Sequence, residues 1–266
     1  MSDHSSRIAQ PDTGRDLQSL LQRIHAVEDL LLEVTANPVD GSPLAFDDEA
    51  TAPFSLSATT RQGIVVAVDH LHGLRLMLRE DVPVLAGFTV LRSALEAALA
   101  VTWSLLPNDA QKRRLRLLQD RMRDIREEAS IRVPVTDAVL DSAERAAEVT
   151  EVAARVGFEP REVNLQISTT EKLKMLDQFL NDGALPGRSN LLYLWKTLSA
   201  VAHGRAANYQ VLMVSERVKM GGEFPPQRVV AANLELLVAI GHLVVDQVEA
   251  ADMLRAKRAG RLLESN

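Results

Sequence analysis

Tyr193, Leu194, Trp195, Lys196, Thr197, Leu198, Ser199, Ala200, Val201, Ala202, His203 and Gly204 form the stretch whose reading decides the fold. Its residues are strong or neutral helix formers, and the run closes on a glycine, the usual helix terminator. Tyr193, Lys196, Ser199 and His203 recur at steps of three or four, so they share one helical face. A second polar pair, Arg92 and Glu96, stands four residues apart in the most apolar helix of the chain. Two apolar helices, each with an isolated polar face, predict that the helices pack together and satisfy those faces mutually.

Working outward, helical apolar spacing recurs along nearly the whole chain of 266 residues. It predicts helices over about 16–34, 59–79, 83–106, 109 to the break at Pro134, 138–156, 169–180, 189–202 and 227–259. Residues 37–58, with three prolines and the acidic cluster Asp47, Asp48 and Glu49, read as a surface loop. After His203, alternation around Met213 and the pairs Gly221, Gly222 and Pro225, Pro226 permit a short extended excursion. The expectation is an all-α chain: one multi-helix bundle over 16–260 behind a disordered N-terminus at 1–15. Hydrophobic residues make up 46% and aromatic ones only 4%, which suits a core of Leu, Val and Ala in packed helices.

Composition also excludes. With no cysteine there are no disulfides, thiol nucleophiles or cysteine-ligated metals. No N-terminal apolar region reads as a leader, so the expected location is cytoplasmic with no membrane partner. The net charge of −6 argues against adhesion to nucleic acid through bulk charge. Locally the balance differs: Lys112, Arg113, Arg114, Arg116, Arg121, Arg123 and Arg126 outnumber Asp120 and Asp124, giving +5. Such a helix can bind phosphate, or an antiparallel acidic helix beyond it can neutralise it; the scarcity of aromatic stacking partners favours neutralisation.

Among possible chemical groups, Arg92 and Glu96 stack as an i, i+4 ion pair in apolar surroundings. They are either a structural pair or part of a site shared with His203. His203 falls at a helix C-terminus, where the dipole favours imidazolium and acid/base work, although a simple capping role fits equally. Tyr193 and Ser199 can supply hydrogen bonds nearby. Asp69 and His72 are half of a carboxylate-histidine metal pattern with no second half, so no metal and no cofactor are expected. Glu235, His242 and Asp246 lie on one stripe of the last helix and read as a polar seam. That helix also carries Leu234, Leu237, Val238, Ile240, Leu243, Val244 and Val245, a wide apolar surface that suggests a homodimer.

The segment Leu91-Arg92-Ser93-Ala94-Leu95-Glu96-Ala97-Ala98, ending at Trp103 and Pro107, resembles a helical family of actinobacterial proteins. In that family an Arg-x-x-x-Glu helix precedes a Tyr-x-x-x-x-Leu-Ser-x-x-x-His-Gly helix, here matched by Tyr193, Leu198, Ser199, His203 and Gly204. The family is similar in turn to HEPN-type helical domains. The resemblance implies a defence or toxin-type protein acting on or binding RNA, with His203, Arg92 and Glu96 catalytic and Lys196, Arg205, Tyr193 and Ser199 holding substrate. Any enzyme activity implied is a metal-independent ribonuclease. HEPN ribonucleases carry an arginine separated from their histidine by four to six intervening residues, where this chain has Lys196, Thr197 and Leu198. The alternative is a non-catalytic helical binding or scaffold protein in which these residues are structural.

Overall fold

Serine and asparagine set the starts of the helices. Ser42, Ser55, Asn190 and Asn233 each accept a hydrogen bond from a backbone N–H three residues on, at 2.9 to 3.3 Å, satisfying a donor left without an intrahelical partner. The computed structural model describes residues 13–34, 37–79, 85–130, 142–182, 190–204, 213–218 and 227–261. In chain order the helices are α1 (Thr13–Val34), α2 (Pro43–Thr51), α3 (Leu56–Met77), α4 (Ala86–Leu105), α5 (Ala110–Ser130), α6 (Ser142–Arg155), α7 (Pro160–Val163), α8 (Thr169–Asp182), α9 (Leu191–Ala202) and α10 (Leu234–Arg258). Between α9 and α10 lies an antiparallel hairpin, β1 (Met213–Val218) with β2 (Gln227–Ala232), in register Met213 to Ala232 and Val218 to Gln227. The architecture is the expected all-α bundle, and the hairpin is the extended excursion after His203.

Four long helices, α1, α3, α4 and α10, form a bundle in which α4 packs on α3 and α10, and α1 closes the other side. Leu20, Ile24, Ile64, Leu71, Leu91 and Val244 are fully buried at its centre. Close approach is needed where α3 crosses α4: a Cβ on Gly63 would lie 2.5 Å from Val101 Cγ2. The helix α4 is long and apolar enough to cross a membrane, but it is the central element here, with Phe88, Leu91, Ala94, Leu95 and Ala98 all fully buried. A second, smaller core joins Leu118, Met122 and Ile125 of α5 to Val149, Val152 and Ala153 of α6 and Val163 of α7. Phe54 packs against both cores.

Several boundaries depart from the periodicity reading. Residues 43–51 are not loop but α2, capped by Ser42 and opened by Pro43, and their inward face carries Leu44, Asp47 and Thr51. Asp47 is completely buried, its carboxylate 2.7 Å from Arg113 Nε and 2.9 Å from Arg114 Nε. The acidic composition looked solvated because its two partners lie more than sixty residues away. The helix expected from about 59 starts three residues earlier, capped by Ser55, and the hydroxyls of Thr59 and Thr60 bond back to the carbonyls of Ser55 and Leu56. Residues 227–232 belong to β2, so the last helix begins only after Asn233. The expected helix starts at 83 and at 138 lie outside the described residues. Of the seven apolar residues that suggested a dimer, Leu237, Val238, Ile240, Val244 and Val245 are buried in this chain's own core.

Candidate functional site

The helix α9 packs on α4, as the two polar faces predicted. Arg92 of α4 donates from Nε to Ser199 Oγ at 2.9 Å and pairs through Nη2 with Glu96 Oε2 at 3.1 Å. Trp195 Nε1 donates to the same Glu96 oxygen at 3.4 Å, and the Arg92 guanidinium lies 5.7 Å from the Trp195 ring centre. One arginine thus ties its own helix partner to two residues of α9 spaced one turn apart. Ser199 is buried and so are Leu191, Leu198 and Val201 beside it. A buried hydroxyl and a half-buried guanidinium satisfy one another at this contact, which is what an interhelical clamp requires.

The remaining predicted site residues divide. His203 is the C-cap of α9, its N–H bonded to Ser199 O at 3.1 Å, and Gly204 follows at φ 66° to end the helix. Its imidazole side is exposed, one turn beyond Ser199. Tyr193 is 65% exposed and Lys196 is exposed. The structure therefore brings Arg92, Glu96 and Ser199 together with Trp195, and sets Tyr193, Lys196 and His203 on the open side of α9. Arg205 lies outside the described residues.

Beside the clamp a cleft of about 750 Å³ opens between α4, α5, α8 and α9. Its apolar floor includes Ala97, Leu173, Leu176 and Trp195, and Glu96 reaches it from the clamp. On the facing wall, Asp120 of α5 accepts from Lys172 Nζ at 2.6 Å and from Arg123 Nη1 at 3.0 Å. Arg123 also contacts Asp124 and Glu127, and although burial works against its charge, Asp120, Asp124 and Glu127 together raise its pKa further. Behind this wall Arg116 stacks on Trp103 at 3.4 Å and donates to the Trp103 carbonyl. Burial pulls the Arg116 pKa down to about 10, with Asp120 opposing.

The basic helix is thereby accounted for by a different route from the one expected. Arg113 and Arg114 are held by Asp47 of α2, Arg116 by Trp103, Arg121 by Thr59 at 3.1 Å, Arg123 by carboxylates of its own helix, and Arg126 by Asn164. The acidic helix α6 does pack on α5, but through the apolar seam. An ion pair there joins its own Arg145 to Glu128 of α5. Lys112 sits at an exposed position.

Two other polar groupings resolve into helix contacts. His72 turns to Glu28 of α1 at 3.0 Å rather than to Asp69, and Arg75 binds the same carboxylate through two nitrogens at 2.6 and 2.9 Å. Burial alone would raise the Glu28 pKa, but the hydrogen bonds from Arg75, His72 and His25 outweigh it and hold the carboxyl below 4.5. His242 and Asp246 face α1, where Arg23 reaches them at 3.2 and 2.7 Å and reaches Glu249 at 2.8 Å; Glu235 accepts from Thr13 at 3.1 Å. That stripe is a seam within the chain. Among the described residues no three side chains are grouped so as to hold a metal ion.

Trp195, Asp120 and Lys172 were not singled out in the sequence. Trp195 stands inside the opening stretch, but Asp120 and Lys172 come from two other helices, and their pairing has no local signature. Comparison of the chain with family models, with known proteins and with solved structures gives no match.

Proposed function

We propose that this is a non-catalytic helical binding protein, acting in the cytoplasm, whose ligand occupies the cleft between α4, α5, α8 and α9. The observation that carries this reading is the use made of Arg92. Its Nε is given to Ser199 and its Nη2 to Glu96, with Trp195 alongside, so the group that would grip a phosphate is spent on joining two helices. The clamp in turn fixes Trp195 and Glu96 at the cleft edge. A cleft of about 750 Å³ with an apolar floor and a few convergent polar groups has the size and character of a small-molecule site. Five of the seven basic residues of α5 are engaged inside the fold with Asp47, Trp103, Thr59 or carboxylates of α5, which leaves little free positive surface there for nucleic acid.

A second reading, an RNA-acting HEPN-like protein, is favoured by one observation: His203 and Lys196 are both exposed on the side of α9 that adjoins Ser199. One set of measurements separates the two. Wild-type protein and Lys196→Arg, which restores an arginine at HEPN spacing, are incubated with single-stranded and structured RNA at physiological salt. Neither is expected to cleave or retain RNA. Cleavage by the wild type that His203→Ala abolishes, with the melting temperature unchanged, would replace the binding-protein reading with the ribonuclease one.

A further inference from the structure

The chemistry of the cleft walls selects among ligands. Of the charged residues lining it, Glu96, Asp120 and Glu127 are acidic and Arg123 and Lys172 basic, three carboxylates against two cations. The two cations are both turned onto Asp120, at 2.6 and 3.0 Å, so an anionic ligand would have to compete with a carboxylate already in place. It would also meet Glu96 on the opposite wall. Glu96 is different: Arg92 and Trp195 both bond to its Oε2, and its side chain is 38% exposed and lines the cleft, with no bond shown to Oε1 among the described residues. The Trp195 ring lines the cleft beside it, and its electron-rich faces attract cations, as the Arg92 guanidinium 5.7 Å from the ring centre already illustrates. Leu173, Leu176 and Ala97 supply apolar contact within reach of the same point.

We infer that the cleft takes a small organic cation, a protonated amine carried on an apolar body, with the ammonium at Glu96 and Trp195 and the body on the Leu173–Leu176 floor. This rests on the reading of the cleft as the binding site. Its volume accommodates one aromatic or branched aliphatic group with room to spare. No bond is made or broken; the Glu96 carboxylate is shared between Arg92 and the ligand.

The chain contains two tryptophans, and Trp103 is buried behind the cleft, so the two indole N–H resonances of ¹⁵N-labelled full-length protein separate the site from its surroundings. Three probes of one shape are titrated to millimolar concentration: 2-phenylethylamine, 2-phenylethanol and 3-phenylpropionate. The amine is expected to shift the Trp195 signal saturably, and more tightly than either of the others. Glu96→Gln keeps an acceptor for Arg92 and Trp195 but removes the charge, and should weaken the amine by about tenfold while leaving 2-phenylethanol unchanged. Ala100→Lys, at an exposed position on the cleft rim, should weaken the amine comparably by like-charge repulsion. If the alcohol or the carboxylate binds as tightly as the amine, or if Glu96→Gln leaves the amine unaffected, the cation inference is overturned and the cleft reading stands. If no probe of any charge moves the Trp195 resonance, both are overturned.

Discussion

Replacing Asp47 by alanine should be the most damaging single change among the polar residues of this protein. Its carboxylate is fully buried and spans Arg113 and Arg114 at 2.7 and 2.9 Å. Arg113 is itself only 3% exposed, so deletion of the carboxylate leaves a guanidinium charge in the interior. Breaking a buried pair from one side costs about 3–5 kcal/mol. Arg113 keeps its bonds from Nη1 to the carbonyls of Pro107 and Asn108, at 3.0 and 2.8 Å, which places the loss near the lower end, about 3 kcal/mol. For a chain of this size that corresponds to a fall of about 6–12 °C in Tm. Differential scanning calorimetry of Asp47→Ala measures it, with urea denaturation followed by tryptophan fluorescence as the second readout. The double variant Asp47→Ala/Arg113→Met, which removes both charges, should recover part of the loss. Were Asp47 on a solvated loop, alanine would change stability by under about 0.5 kcal/mol. A Tm shift below about 2 °C would therefore refute the buried-pair account.

Other outcomes follow from the same structure. Arg92→Ala should destabilise the chain by about 1–3 kcal/mol and Ser199→Ala by about 1 kcal/mol, with the double variant losing less than the sum because the two share one bond; additive losses in urea melts would show that the clamp does not exist. Glu28 has its folded pKa lowered, so its stabilising contribution is complete above the unfolded value of 4.5 and disappears as pH falls below it. The gap in urea midpoint between wild type and Glu28→Gln should accordingly be constant above pH 4.5 and narrow as pH falls below it through the lowered folded pKa, and a gap that does not narrow in acid would contradict the Arg75 and His72 pairing. Gly63→Ala gains about 1 kcal/mol in helix propensity but drives a methyl to 2.5 Å from Val101 Cγ2, so a net loss is expected; the loss should shrink in a Val101→Ala background, and equal effects in both backgrounds would place the contact elsewhere. Sedimentation at micromolar concentration is expected to show a monomer, since α10 spends most of its apolar surface on its own core; a dimer dissociated by Leu243→Glu would identify the exposed Leu234 and Leu243 as an interface.

What could be read from the chain is what is decided within one turn of backbone. Apolar residues at helical spacing place α1, α3, α4, α5, α8 and α9 close to their observed positions, and Gly204 ends α9 where expected, because these are properties of residues three and four apart. Arg92 and Glu96 were legible as a pair for the same reason, and two helices with one polar face each had to meet. Asp47 was misread because local composition says nothing about a partner 66 residues on, and the strand at 227–232 because its apolar residues serve helix and hairpin equally until β1 is beside them. The arginines of α5 were visible as charge, but their partners, from Thr59 and Asp47 before them to Asn164 after, are set by how three helices lie against α5. The cleft is the extreme case, since Glu96, Asp120, Lys172 and Trp195 come from four helices. No periodicity in one segment can record a cavity between four, so spacing determined the helices and packing alone decided what they enclose.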